Sequence, residues 1–220
     1  MASIADNTPQ HKTNKYRQME LTITDTTDNF ESWLNKEFVT DELRKLISDA
    51  SILIVPFENL RDTPNPLLFP IGTEEILRYF KEKLQPEQLI DICITDEDYQ
   101  EFAFYSDYKR LGNFMVKAVA VPIFVTILSA YVYDKYIKED NTKPQIQIID
   151  KSTHTTIDNS THTTVNNHIS KLTDKKYLEP THIKFSVTVV DTAGTSKNIS
   201  YEGPANEIDT VLKSLKEYEK

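Results

Sequence analysis

Three histidines are the first residues whose type and spacing could do chemistry. His154 and His162 occupy equivalent places in the consecutive octads STHTTIDN and STHTTVNN, and His168 follows them. Imidazole nitrogens bind zinc and related metals, so His154, His162 and His168 form a candidate metal site. No cysteine or carboxylate stands at ligand spacing beside them. An extended polar connector is therefore the favoured interpretation of this stretch, and no resident metal is expected.

Carboxylates next to predicted strands are the second candidates, because metal-dependent nucleases combine such acidic residues with a lysine. The nearest set is Asp91, Glu58 and either Lys81 or Lys83, but its spacing does not fit that pattern. Structural roles are favoured instead, with Asp91 at a strand edge and Glu58 in a turn. The acidic run Asp96, Glu97, Asp98 and Glu101 lacks the glycine and alternating ligands of a calcium loop, which indicates a solvated turn.

Phosphate binding and nucleophilic catalysis have little support in the composition. The four glycines are isolated, so no glycine-rich nucleotide loop is predicted. Cys93 is the only cysteine, which excludes an intramolecular disulfide and favours a reducing compartment. No set of serine, histidine and aspartate can be drawn together. We expect a protein that is not an enzyme, with no catalytic residue and no cofactor.

The charge of the chain narrows the choice of partners. Its formal net charge is −9, and the excess of acidic residues lies before residue 114. A general attraction to nucleic acid is therefore not expected. A protein partner, encoded nearby in the genome, is one hypothesis, and a homo-oligomer is another.

The elements that would position any site divide into segments around one apolar stretch. Residues 1–15 are polar and predict a mobile N-terminus. Residues 16–110 contain a strand, helix, strand, helix, strand, strand order, which predicts a small acidic α/β domain. Its first strand is predicted in YRQMELTITD, and Thr40 and Thr73 are predicted to cap its helices.

The apolar stretch FMVKAVAVPIFVTILSAYVY, Phe114 to Tyr133, has the length of a bilayer-spanning helix. Twenty residues at about 1.5 Å each cover about 30 Å of hydrocarbon. A transmembrane helix is therefore predicted over residues 112–137. Phe114 begins the stretch, Lys117 is a charge near its start, and Pro122 and Val125 follow. Tyr131 and Tyr133 lie where the far membrane interface would be.

Two other interpretations of this stretch stay open: the buried central helix of a globular core, and a pair of buried strands. If the stretch spans the membrane, basic residues near its start outnumber those near its end, which favours a cytoplasmic N-terminal domain. That topology predicts a single-pass protein of the inner membrane.

The C-terminal part has two predicted segments. Residues 138–176 hold the threonine, histidine and asparagine repeat and predict an extended linker suited to self-stacking. Residues 177–220 predict a ββα unit: HIKFSVTVVD and SKNISYEG form a hairpin that turns near Gly194, and a helix with an apolar stripe follows. The predicted fold class is thus α+β, with a central transmembrane helix.

Three functions follow from this build. The first is a membrane-anchored, non-enzymatic sensor or effector; small killing effectors of bacterial anti-phage defence resemble it in general build, without any shared motif. The second is a passive membrane tether or scaffold. The third is a soluble binding protein or divergent enzyme, in which residues 114–133 form a buried core helix.

Overall fold

A mixed six-stranded β-sheet organises the chain, with the strand order β1-β8-β7-β6-β2-β4. In this computed structural model the described residues are 19–58, 67–103, 106–138 and 180–218. Two very short strands, β3 and β5, form a separate parallel pair. The strands are β1 (Glu20–Thr26), β2 (Ile52–Val55), β3 (Phe69–Pro70), β4 (Ile90–Ile92), β5 (Glu101–Phe102), β6 (Lys109–Lys117), β7 (His182–Val190) and β8 (Ser196–Pro204).

Five α-helices cover the two faces of this sheet within the described residues. They are α1 (Phe30–Leu34), α2 (Asp41–Ile47), α3 (Thr73–Lys83), α4 (Val121–Val132) and α5 (Ile208–Lys216). Helices α3, α4 and α5 share one apolar core with the sheet, and α1 and α2 build a second core on the other face. The predicted α+β class is confirmed in this coarse form.

Strands from the two ends of the chain belong to the same sheet. The hairpin β7–β8 lies between β1 and β6, pairing antiparallel with β1 through β8 and parallel with β6 through β7. The segments predicted as a domain over 16–110 and a ββα unit over 177–220 are therefore interleaved. Neither segment is complete without the other, because the central strands of the sheet come from both.

The apolar stretch is a strand followed by a helix. Phe114 to Lys117 lie in β6, at the centre of the sheet, and a 3-10 turn over Ala118–Ala120 leads into α4. The helix thus begins later than the prediction over 112–137. Pro122 lies in the first turn of α4, where the missing N–H has no intrahelical partner to lose.

One side of α4 is buried against the sheet and the neighbouring helices. Phe124 is fully buried, and its ring centroid lies 5.3 Å from that of Phe114 and 5.6 Å from that of Phe80. Its outer side carries the exposed Pro122 and Thr126. Among the described residues, one helical stretch, Ala118–Ile137, is long and apolar enough to cross a bilayer, and half of its apolar window is buried within the fold.

The second core lies under α1 and α2. Trp33 from α1 and Leu43 and Ile47 from α2 belong to one apolar cluster with Leu53 of β2 and Met115 of β6. Thr40 caps α2 as predicted, accepting a hydrogen bond from the Leu43 N–H at 3.2 Å. Thr73 does not cap α3: it is the first helical residue, and its hydroxyl donates to the Pro70 carbonyl.

Candidate binding surface

The residues predicted to mark a membrane span do not form one surface. Phe114, Val125 and Tyr131 are buried in the core beneath α4, whereas Pro122 and Tyr133 are exposed. Lys117 ends β6, and its Nζ lies 5.0 Å from the centroid of the Phe30 ring on the opposite face of the sheet. The candidate metal ligands His154, His162 and His168 lie outside the described residues, as do residues 1–15 and 139–176.

The candidate catalytic carboxylates have structural partners. Glu58 binds Lys36 at 2.8 Å, and Asp91 contacts Lys81 at 3.4 Å. Within the described ranges, no cluster of three histidine, cysteine or acidic side chains is arranged to hold a metal ion. Cys93 is fully buried, and burial raises the pKa of its thiol to about 12, so it is not a ready nucleophile.

A group of titratable side chains lies where α3 meets the π-helical turn that follows α4, Tyr133–Ile137. The Tyr79 hydroxyl donates to Asp134 at 2.8 Å, and Lys135 binds Glu75 at 2.9 Å. Burial, followed by this hydrogen bond to Asp134, raises the pKa of Tyr79 to about 12. The Tyr79 ring packs edge-on against Tyr131 at 5.2 Å. These pairs hold the two helices together, and they leave the phenol of Tyr79 protonated at neutral pH.

Glu101 of β5 supplies the cap that Thr73 does not. Its two carboxylate oxygens accept the backbone N–H groups of Gly72 at 3.0 Å and Glu74 at 2.9 Å, at the start of α3. The Tyr99 hydroxyl donates to the same carboxylate at 2.6 Å. A carboxylate at a helix N-terminus satisfies unpaired donors and faces the positive end of the helix dipole.

The protonation of Glu101 should therefore affect stability. Desolvation, the largest single influence, raises the pKa of Glu101, but the hydrogen bonds from backbone and Tyr99 together leave it below its ordinary value. Because the folded-state pKa is the lower one, the stabilisation is present above the ordinary carboxyl pKa of about 4.3 and is lost as the pH falls through the folded-state value.

Replacing Glu101 by alanine is expected to lower the free energy of unfolding at pH 7 by about 1 kcal/mol, because the start of α3 loses its cap. Urea denaturation at pH 7 and at pH 3 measures this, and the loss should shrink at the lower pH. Glu87→Ala removes an exposed acidic side chain elsewhere and serves as the control. Equal losses for the two variants at both pH values would contradict the capping role.

A polar surface, which we call the open sheet face, lies on β7, β8, β1 and the adjoining part of β6, on the side opposite α4. In β7 and β8 its side chains alternate with buried ones, whereas in β1 they alternate with residues that are half-buried or exposed. All members of the surface are half-buried or exposed. They are Glu20, Thr22, Thr24, Asn113, Lys184, Ser186, Asn198, Ser200 and Glu202. On the same face the apolar cluster under α1 and α2 includes residues of β2, Cys93 just after β4, and Met115 of β6, so the face changes from apolar to polar across β6.

Strand register aligns these side chains in rows. Thr22 is opposite Ser200, which is opposite Ser186, which is opposite Asn113. The Ser186 hydroxyl donates to the Asn113 side-chain oxygen at 2.7 Å. In the next row, the Asn198 amide donates to the Thr188 hydroxyl at 3.0 Å. Such bonds fix the rotamers of the inner side chains and present a regular array of donors and acceptors.

One end of the open sheet face is charged and aromatic. Lys184 binds Glu202 at 2.8 Å, and its Nζ lies 5.4 Å from the Tyr108 ring centroid. The central carbon of the Arg110 guanidinium lies 5.0 Å from the ring centroid of Tyr108 and 5.7 Å from that of Phe57. Cation–π contacts of this kind hold a planar cation at the surface without burying it.

Sequence reasoning did not find this surface, although the signal was present. The alternation in HIKFSVTVVD, SKNISYEG and ELTITD predicted which side chains face the core. The polar members of the same alternation become a surface only when β7 and β8 lie beside β1 and β6. That order depends on pairing between distant segments.

Comparison with known proteins finds no matching family model, no similar curated protein and no similar solved structure.

Proposed function

We propose that this chain is a soluble, non-enzymatic binding protein in which the apolar segment is a core helix and the open sheet face binds a protein partner. The core-helix part of this proposal is supported by the parallel pairing of β6 with β7. This pairing runs from Lys109 opposite Ile183 to Lys117 opposite Val190. These two strands precede and follow α4 in the chain.

Parallel neighbours in a sheet need a crossover connection, which is usually a helix packed on the sheet. Helix α4 lies in that connection. A single helix that crossed a bilayer would send its two flanking segments to opposite sides of the membrane, where β6 and β7 could not pair. The sheet therefore supports the core-helix hypothesis over a single-pass span.

The packing of α4 in this arrangement explains why the helix is apolar. The helix packs on Phe114 of β6 through Phe124, and it shares one apolar cluster with Val116 of β6 and Val187 of β7. All three strand residues are essentially inaccessible to solvent, so removing α4 would expose part of this cluster to water. A helix between a buried sheet and two neighbouring helices needs apolar residues on most of its surface.

The chemistry of the open sheet face favours a hydrogen-bonding partner. Hydroxyl and amide side chains offer both donors and acceptors, and the face is continuous over three paired strands. The net charge of −9 disfavours nucleic acid. A protein surface rich in polar groups fits these properties, because non-obligate protein interfaces are largely polar and hydrated.

Cell fractionation tests the core-helix part of this proposal. We expect the full-length protein in the supernatant after membranes are pelleted. Recovery in the pellet, with resistance to an alkaline carbonate wash, would instead favour the membrane-anchored hypotheses.

Site-specific photo-crosslinking in the native cells tests the binding surface. A crosslinking residue at Ser200, in the middle of the open sheet face, should yield a discrete adduct with a second polypeptide. The same residue at Gln85, exposed beyond the end of α3, is the control and should not yield that adduct. Identical adduct patterns from the two positions would contradict the proposal.

The membrane-anchored sensor or effector is the second candidate, supported by the length and apolarity of Ala118–Ile137. The passive tether shares this support, whereas the anti-phage role is proposed from the general build alone. Overexpression separates the effector hypothesis from the tether hypothesis. An effector should lower growth or membrane potential, whereas a tether should leave both unchanged.

A further inference from the structure

Strand β1 forms one edge of the six-stranded sheet. It pairs with β8 along its whole length of seven residues, and no other described strand lies beside it. The backbone N–H and C=O groups on its outer side therefore form a row that another extended segment could bind. Edge strands of this kind are templates for strand addition.

The residues of β1 protect this edge only through two acidic side chains, Glu20 and Asp25, which lie towards its two ends. Natural edge strands are often interrupted by a proline or a bulge, or guarded by lysine. The sequence ELTITDT contains neither proline nor lysine, and its register with β8 is continuous from Glu20 to Thr26. Ile23, at the midpoint, keeps 43% of its surface exposed although it is apolar.

We propose that a second copy of this chain binds the outer edge of β1, with the two β1 strands antiparallel about a two-fold axis at Ile23. In an antiparallel pair, opposite residues must point to the same face of the sheet, so only every second register is allowed. Among the allowed registers, the one centred on Ile23 pairs all seven residues of β1. It also places the two exposed Ile23 side chains opposite each other.

The charges of β1 fit this register. Glu20 lies opposite Thr26 of the second copy, and Asp25 lies opposite Leu21, so no acidic residue faces another. The two Glu20 residues are about 20 Å apart, from six steps of about 3.4 Å. Asp25 is already bound by Lys197 at 2.8 Å on its own chain. Repulsion between like charges therefore does not oppose the pairing.

The dimer would join two sheets into one of twelve strands and place the two open sheet faces side by side. This inference does not depend on what the open sheet face binds. It depends on the outer edge of β1, beside which no other described strand lies, and on the register that its residues allow.

In the proposed register, Thr22 of each copy lies opposite Thr24 of the other copy. These two residues therefore provide the test. Both are exposed, so substitutions should leave the fold intact. The double variant Thr22→Lys, Thr24→Lys would place lysines opposite lysines at two positions. The double variant Thr22→Lys, Thr24→Glu would place a lysine opposite a glutamate at both.

Sedimentation of the full-length protein across the micromolar range measures the result. We expect a monomer–dimer equilibrium for the wild type and association at least about tenfold weaker for the double-lysine variant. The lysine–glutamate variant should dimerise at least as well as the wild type. The control Thr192→Lys, Ala193→Lys adds the same charge at the exposed β7–β8 turn and should leave dimerisation unchanged.

Two results would overturn the inference. The first is a wild-type chain that stays monomeric at every concentration, which would mean that the edge stays unpaired or is covered by another segment of the same chain. The second is equal association of the double-lysine and lysine–glutamate variants, which would exclude this register. Circular dichroism of each variant shows that the fold is retained.

Discussion

Phe124→Ala is expected to lower the free energy of unfolding by about 3–5 kcal/mol. The side chain is fully buried, and its ring packs against Phe80 of α3 and Phe114 of β6. The substitution leaves a cavity at the point where two helices and the sheet meet. Small domains have a total stability of about 5–15 kcal/mol, so this loss is a large share. Urea denaturation of the full-length protein measures it.

Thr126→Ala is the matched control for this substitution. Thr126 lies on the exposed side of α4, and its hydroxyl donates to the Pro122 carbonyl of its own helix at 2.9 Å. Its replacement should change stability by no more than about 0.5 kcal/mol. Small and equal effects of the two substitutions would contradict the packing of α4 on the sheet.

Helix positions could be predicted because their signal is local. The predicted stripes are Ile76, Leu77, Phe80 and Leu84 at α3, and Ile208, Val211, Leu212 and Leu215 in α5. The α5 stripe is buried throughout, and in the α3 stripe Ile76 and Phe80 are buried while Leu77 and Leu84 are half-buried. A helix satisfies its own backbone hydrogen bonds within a few residues. Its sequence pattern therefore needs only one packing surface, whatever that surface is.

Strand positions were also predictable, but their neighbours were not. The alternation of Ile183, Phe185, Val187 and Val189 correctly gave the core-facing side of β7. Nothing local in that pattern indicates that β7 lies beside β6, which is more than sixty residues earlier in the sequence. Separate domains were predicted because segments that are close in sequence were assumed to lie together in space.

The apolar stretch shows a different limit. The later part of β6 is covered on both faces, so Phe114, Met115 and Val116 are all buried and no polar residue interrupts these three. The strand passes through one short turn into a helix that is also largely buried. Two apolar elements in succession have the same length and composition as one membrane span, and periodicity cannot separate them.

The open sheet face was hidden for the same reason as the sheet order. Thr22, Ser186 and Ser200 are ordinary polar partners in three separate alternating strands. They become one surface only through pairing across the sheet. The cap by Glu101 is similar, because its carboxylate reaches α3 from a different strand, about thirty residues away in sequence.

Val125→Arg is expected to produce unfolded or aggregated protein, whereas Thr126→Arg should fold and remain soluble. Val125 is 4% exposed and faces the core, so an arginine there would bury an unpaired charge, at a cost of several kcal/mol. Thr126 is its neighbour on the exposed side, where an arginine remains hydrated. Soluble yield, circular dichroism and thermal melting of the two variants measure the difference.

The comparison of these neighbours separates a core helix from a membrane span. In lipid, every face of an isolated helix meets hydrocarbon, and an arginine near its centre costs about 2.5–3.5 kcal/mol whichever face it occupies. A span would therefore be disturbed similarly by both substitutions. In the fold described above, the two sides of α4 meet different surroundings, so only the inner substitution is severe. Equal loss of membrane residence for both variants would contradict the core-helix hypothesis.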